Sequence, residues 1–160
     1  RNELEMDLLR YLLKEFAPHV SYERVLAGPG LHRIYQFLRQ RHPKDEPGWL
    51  ANDLREQDPS AVIATNALAK KDRLCEQALD MFVSFYGAEA GNMALRVMAF
   101  AGIYIGGGIA PKIIEALKGE RFMEAFLDKG RFSNFLRPIP VRVVLNPETA
   151  LLGAARRVSV

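Results

Sequence analysis

Residues 102–111, Gly-Ile-Tyr-Ile-Gly-Gly-Gly-Ile-Ala-Pro, contain the pattern that decides the fold class. The pattern predicts a strand at 102–105, a tight turn at Gly106, Gly107 and Gly108, and a helix that continues to about Leu117. Glycine adopts positive φ and has no Cβ, so a ligand can approach this turn closely, and the helix start favours a phosphate. The spacing matches neither the dinucleotide fingerprint nor a Walker loop. A nucleotide site and a purely structural turn therefore both stay open from the pattern alone.

Helical periodicity dominates the rest of the chain. The predicted helices cover residues 1–16, 21–27, 29–40, 61–69, 72–98, 120–128 and 147–158. A second apolar strand is predicted at 141–145. Two short strands do not form a stable sheet by themselves, so we expect further strands of a buried parallel sheet from residues that precede Arg1. The sequence thus predicts an α/β fold class, helix-rich with few strands, and part of a larger protein.

Three local features refine this organisation. Residues 42–60 are rich in Pro, Asn, Asp and charge, and we expect an exposed connection there with one short helical turn. Ser60 is predicted to cap the helix that follows. The segment 88–101 is apolar nearly all round, which predicts deep burial. Gly87, immediately before this segment, and Gly91, within it, lower helix propensity and therefore indicate close packing of another backbone.

Composition limits the class of protein. The chain has 160 residues, 49% hydrophobic and 26% charged, with 22 Lys and Arg against 19 Asp and Glu, a net charge of +3. These values exclude disorder and a disulfide scaffold, and no apolar run is long enough to cross a membrane. The single cysteine, Cys75, fits a reducing cytosol. Arg33, Arg39 and Arg41 give one helix a basic face, which we interpret as a solvated face rather than a DNA-binding one.

Few residues carry recognisable chemistry. The three histidines have no metal-like spacing with Cys75 or with one another, and no serine has the context of a hydrolase nucleophile. Cys75 is predicted to be a small core residue. Glu23, ahead of the Gly28-Pro29-Gly30 turn, is a carboxylate that can accept two hydroxyl hydrogen bonds from a sugar. From the residues alone, the favoured explanation is instead a first-turn glutamate stabilised by the helix dipole, or half of a capping box.

Three blocks in register are similar to one known family. The blocks are residues 23–31 (ERVLAGPGL), 102–111 (GIYIGGGIAP) and 128–132 (DKGRF). Their order and spacing resemble the C-terminal half of bacterial glucokinases, and the resemblance extends over nearly all of residues 1–160. It is weakest at 43–58.

The resemblance implies the actin/hexokinase-type fold, in which two RNase H-like lobes flank a cleft, with residues 1–160 as the C-terminal lobe. It implies that Glu23 is a sugar-hydroxyl ligand and that Gly106, Gly107 and Gly108 form the adenosine motif against the nucleotide. Residues 148–155 would form a small-residue helix that crosses between the lobes. Residues 90–92 (Ala-Gly-Asn) fit a buried helix of the family.

The implied activity is phosphorylation of the glucose 6-hydroxyl by ATP with Mg2+, in a cytoplasmic homodimer. No membrane partner is expected, and no nucleic-acid partner unless the parent protein is fused to a regulator domain. The family's catalytic aspartate and phosphate-binding segment are expected upstream of Arg1, so no residue here is assigned as catalytic or metal-binding, and this chain alone is expected to be inactive. Two alternatives stay open: a non-catalytic sugar- or nucleotide-sensing lobe of a transcriptional regulator, and a purely structural domain.

Overall fold

The computed structural model describes residues 1–158, with the side chain of Val158 left aside, and the chain forms two compact units. The first unit comprises Arg1–Tyr86 and the second begins at Gly87. The helices of the first unit are α1 (Glu3–Phe16), α2 (Glu23–Leu26), α3 (Gly28–Arg41), α4 (Gly48–Glu56), α5 (Pro59–Leu68) and the first part of α6 (Arg73–Arg96).

Local signals explain most of these helix ends. Asn2 caps α1 because its side chain accepts a hydrogen bond from the Glu5 backbone N–H. Pro29 lies in the first turn of α3, where its fixed φ is tolerated. Asp58, rather than the predicted Ser60, caps α5 by accepting from the Ser60 N–H. Asp72 accepts from the Cys75 N–H at the start of α6. The predicted helices of this unit are confirmed, apart from that cap.

The stretch 42–60 is more ordered than predicted. It contains the nine-residue helix α4, where the sequence suggested one short helical turn in an exposed connection. Most of its side chains are exposed, but Leu50 is completely buried and anchors the helix. The expectation was wrong here because Pro47 and Gly48 resemble a loop in sequence, whereas proline and glycine are also compatible with the start of a helix.

The core of the first unit is formed by side chains from five of its helices, α1, α3, α4, α5 and α6, whereas α2 contributes no buried residue. The largest completely or nearly completely buried ones are Leu12, Ile34, Tyr35, Leu50, Ile63, Leu74, Cys75, Phe82 and Val83. Each fully buried Leu, Ile or Phe contributes on the order of 1.5–3 kcal/mol to the free energy of unfolding. The apolar periodicity of the sequence therefore identified the correct helix faces.

The second unit contains a two-stranded parallel sheet and short helices. Its elements after α6 are β1 (Ile103–Ile105), α7 (Ile109–Lys112), α8 (Ile114–Leu117), α9 (Glu120–Leu127), a 3-10 turn (Gly130–Phe132), α10 (Ser133–Leu136), β2 (Val141–Val143) and α11 (Thr149–Val158). Strands β1 and β2 pair in parallel, with Ile103 opposite Val141 and Ile105 opposite Val143. Both predicted strands are confirmed, each shorter than expected.

A close helix crossing organises this unit. A Cβ added at Gly87 would lie 2.1 Å from the backbone oxygen of Phe122, and one at Gly91 would lie 2.5 Å from that of Phe126. The two glycines thus admit the backbone of α9 against α6, as their positions predicted. Phe122 and Phe126 are both buried beneath this crossing and their rings are stacked with centroids 6.3 Å apart.

The predicted deep burial of residues 88–101 holds only for the first half of that segment. Gly87, Ala88, Ala90, Gly91 and Ala94 are buried. The later residues are largely exposed: Val97 to 62%, Met98 to 52% and Phe100 to 70%. The helix ends at Arg96, and the chain then turns through a positive φ at Met98 to enter β1, so these side chains leave the packed face of α6.

Candidate functional site

Glu23 is the first residue of α2 and its side chain is exposed. Within residues 1–158 the structure gives its carboxylate no hydrogen-bond or ion-pair partner. The N-cap, Tyr22, makes no side-chain cap bond, so the capping-box explanation for this glutamate is wrong. Its backbone oxygen accepts from the Ala27 N–H at 3.0 Å, which closes the short helix. The backbone of Glu23 takes part in the hydrogen bonds of the short helix, whereas both oxygens of its carboxylate are available to accept hydrogen bonds from hydroxyl groups.

The backbone around Glu23 is held rigidly by its neighbours. Gly30 is buried, and a Cβ there would lie 2.1 Å from the backbone oxygen of Val25, so α2 packs directly on the first turn of α3. The Ser60 hydroxyl donates to the backbone oxygen of Gly28 at 2.6 Å and ties the same turn to α5. The Gly28-Pro29-Gly30 turn therefore fixes where the Glu23 carboxylate is presented.

The glycine turn of the second unit follows β1 directly. Gly107 has φ of +104°, a conformation that favours glycine, whereas Gly106 and Gly108 have no left-handed φ. A Cβ added at any of the three would meet nothing within 4 Å. Only Gly107 is required by the backbone of the turn. The open space at all three positions is what a closely approaching ligand requires, and it fits the predicted nucleotide contact.

The helix predicted from Ile109 to Leu117 is divided in two. Ile113, with φ of −115° and ψ of 24°, separates α7 from α8, and each has four residues. A single turn carries few aligned peptide dipoles, so the phosphate-favouring field expected from a longer helix is reduced. Close backbone access at the glycines is the remaining feature that suits a nucleotide.

The other sequence-predicted positions have structural surroundings. Cys75 is completely buried, and burial raises the pKa of its thiol, so it is the small core residue that the sequence predicted. Asn66 donates to the Val62 backbone oxygen at 2.9 Å, and Asn92 donates to the Glu89 carboxylate at 3.0 Å. Over the part of the chain that is described, no three His, Cys, Asp or Glu side chains cluster to hold a metal ion.

The basic face of α3 is partly neutralised within the chain. Arg41 pairs with Asp7 at 2.8 Å, and Arg39 pairs more loosely with Glu46 at 3.4 Å. The Arg33 guanidinium lies 5.0 Å from the centroid of the Phe16 ring. This face is therefore not a row of uncompensated cations, which agrees with its interpretation as a solvated helix face.

The terminal helix is present as α11, and residues 149–157 are exposed, with Leu151 at 69% and Leu152 at 53%. Its predicted crossing between lobes stays a prediction. A search of residues 1–158 finds no helix long and apolar enough to cross a membrane.

Sequence reasoning missed one feature, a cleft of about 600 Å3 in the first unit. None of the predicted site residues lines it; the lining residues are Tyr11, Gln36, Arg39, Gln40, Pro43 and Glu46. The i, i+4 spacing of the two glutamines on α3 was the available signal, but exposed glutamines are common on helices and did not single them out.

The fold matches that of a class of sugar kinases with the hexokinase-like fold. A crystal structure described as glucokinase from an Antarctic psychrotroph superimposes with a TM-score of 0.81 at 32% identity, covering 99% of this chain and 46% of that one. The predicted fold class is therefore confirmed. A model of the Glucokinase family matches residues 1–159, and the chain belongs to the glucokinase family.

Curated relatives agree with this assignment. A protein named glucokinase from Nostoc punctiforme is 47% identical over 167 residues, which cover 97% of this chain and 49% of the relative. Proteins of the same name from Synechocystis and Yersinia pestis are 41% and 39% identical over 97% and 96% of this chain. The chain spans about half the length of the curated relatives it matches. The resemblance drawn from the three sequence blocks is confirmed.

Proposed function

We propose that the protein containing this chain transfers the γ-phosphoryl group of ATP to the 6-hydroxyl of glucose, with residues 1–160 as its C-terminal lobe. The observation that carries the proposal is the family match over residues 1–159. The sites described above are compatible with it and extend it to particular residues.

The first unit supplies part of the sugar site through Glu23. Its carboxylate is exposed, held in place by a short helix, and used by no other group of the described chain, so it can accept two sugar hydroxyl hydrogen bonds. A carboxylate that accepts hydrogen bonds from hydroxyl groups makes strong, directional contacts, each worth about 1.5–3 kcal/mol. Glu23 thus binds and orients the sugar and does not itself deprotonate it.

The second unit supplies the adenosine side of the nucleotide site through Gly106, Gly107 and Gly108. No atom lies within 4 Å of a Cβ added at any of these three residues, so the face of a nucleoside can approach their backbone closely. ATP supplies the phosphoryl group, and Mg2+ neutralises developing charge on it. We assign no residue of this chain to Mg2+, and we place the catalytic aspartate in the part of the family's length that this chain does not span.

Phosphoryl transfer depends on positioning and charge stabilisation by both lobes, so residues 1–160 alone are inactive in this proposal. We further propose that the intact protein is a cytoplasmic homodimer.

The test is glucose-dependent formation of ADP by the intact protein, with 31P NMR to identify the ester formed. We expect ADP and a 6-phosphate ester in equal amounts, dependent on both glucose and Mg-ATP. A protein that binds glucose and ATP yet forms no ester would contradict the proposal and support the sensing alternative.

A further inference from the structure

We propose that the cleft between α1, α3 and the segment 43–46 of the first unit binds an uncharged polyhydroxyl ligand, a carbohydrate, at a site that does not include Glu23. The proposal is independent of the phosphorylation activity, because it rests on the geometry of this cleft alone. A cavity of about 600 Å3 lies within the range typical of small-molecule sites.

A preorganised carboxylate lies at the centre of the argument. The Glu46 side chain is only 13% exposed, and its Oε2 accepts a hydrogen bond of 2.9 Å from the hydroxyl of Tyr35, which is completely buried. Burial, together with the adjacent Glu46 charge, raises the pKa of Tyr35 and keeps its hydroxyl protonated as a donor. Tyr35 therefore orients the Glu46 carboxylate, which lines the cleft and retains further lone pairs that can accept hydrogen bonds.

The Arg39 guanidinium is poised as a donor on the same rim. Its Nη1 lies 3.4 Å from both Glu46 oxygens, longer than the 2.7–2.9 Å of a well-formed ion pair. The Arg39 side chain is 51% exposed. In the proposed complex, a ligand hydroxyl that bridges the two groups would donate to Glu46 and accept from Arg39.

The remaining lining determines the ligand class. Gln36 and Gln40 are four residues apart on α3, so their amides project from the same face, and each offers both a donor and an acceptor. The Tyr11 ring packs on Phe37 with centroids 5.6 Å apart, which fixes an aromatic edge of the cleft. The positive charge of Arg39 and the negative charge of Glu46 balance, so the lining has no net charge. It therefore favours an uncharged ligand with several hydroxyl groups over a phosphate or an amine.

The test follows the backbone and side-chain amide NMR signals of residues 36–46 in the intact protein. Saccharide is titrated into a Glu23→Gln background, so that binding at Glu23 does not contribute. Glucose represents a free monosaccharide, and maltotriose represents the end of a longer glycan. We expect saturable shifts at Gln36, Gln40 and Glu46 with at least one of the two.

Variants separate specific binding from general effects. The Gln36→Ala/Gln40→Ala double variant and Tyr35→Phe, which keeps the buried ring, should each weaken binding at least tenfold. Gln57→Ala, an exposed glutamine outside the cleft, should leave it unchanged.

Two results would overturn the proposal. One is the absence of saccharide-dependent shifts in residues 36–46 of the folded protein up to about 50 mM, where a site of millimolar affinity would be nearly saturated. The other is signals that shift with protein concentration and not with saccharide, which would show that the cleft is covered by a second copy of the chain.

Discussion

Gly106 and Gly108 are glycines at positions where the chain itself does not require glycine. Neither has a left-handed φ, and a Cβ at either would meet open space, in contrast to Gly107 with its φ of +104°. Open space alone does not assign a role, because Gly48 and Gly153 are equally open. Gly106 and Gly108 differ from them in flanking Gly107 in the turn after β1, where we propose that the adenosine portion of ATP binds.

Replacement of these two glycines should therefore affect nucleotide binding and leave the fold intact. In the intact protein, Gly106→Ala and Gly108→Ala should each raise the KM for ATP on the order of tenfold, equivalent to about 1.4 kcal/mol, because the added methyl occupies ligand space. The midpoint of urea unfolding should change little. Gly48→Ala, also open but on α4, is the matched control and should change neither quantity. An unchanged KM for ATP in both variants would show that the turn is structural only.

At the residue scale, the sequence predicts candidate site residues but not their surroundings. Glu23 and the three glycines were selected from local patterns, which a single chain displays directly. Whether the Glu23 carboxylate was already used in a capping box depends on which residue becomes the N-cap. The structure shows Tyr22 there, a residue that cannot perform that role. The Tyr35–Glu46 contact joins residues eleven apart through a loop, and periodicity gives no access to it.

At the scale of elements, the crossing of α6 and α9 organises the second unit. Gly87 and Gly91 are one helical turn apart on α6, and the backbone oxygens of Phe122 and Phe126 contact them with the same spacing on α9. The sequence predicted a close backbone neighbour at both glycines. It could not identify that neighbour as α9, because any glycine pair at this spacing is compatible with several partners.

The crossing makes a stability prediction. Gly87→Ala should lower the free energy of unfolding by about 1–3 kcal/mol, since its methyl would meet a backbone oxygen that cannot move independently of α9. Gly153→Ala is the matched control: it lies within α11, its added methyl meets nothing within 4 Å, and it should raise stability by about 0.5–1 kcal/mol through helix propensity. Urea unfolding of the two variants provides the measurement. Equal effects of the same sign would show that the close crossing does not exist.

Elements whose signals were ambiguous are those that differed from expectation. Helix α4 begins with Pro47 and Gly48, which are also loop residues, and only the burial of Leu50 reveals the helix. The break between α7 and α8 occurs at Ile113, a buried residue whose type does not by itself predict a break. Residues 97–101 are largely exposed because the chain turns at Met98. The hydropathy of the sequence gives no indication of that turn.

At the scale of the whole molecule, the chain accounts for about half of the length of its curated relatives. It carries an exposed carboxylate, Glu23, in one unit and a glycine turn in the other, and we propose that each binds one substrate. We propose that the remaining family residues, including the catalytic aspartate, complete both sites. Glu23 is therefore the residue through which this chain's contribution to catalysis is tested most directly.

The decisive measurement is kcat/KM for glucose in the intact protein, wild type against Glu23→Gln. Glu3→Gln is the control, because Glu3 is likewise an exposed first-turn glutamate, at the start of α1. Loss of a hydroxyl-accepting carboxylate should cost about 2–4 kcal/mol of transition-state binding, a decrease of about 30-fold to 900-fold. Glu3→Gln should retain full activity. An active protein whose kcat/KM is the same in Glu23→Gln as in wild type would contradict the placement of Glu23 in the sugar site.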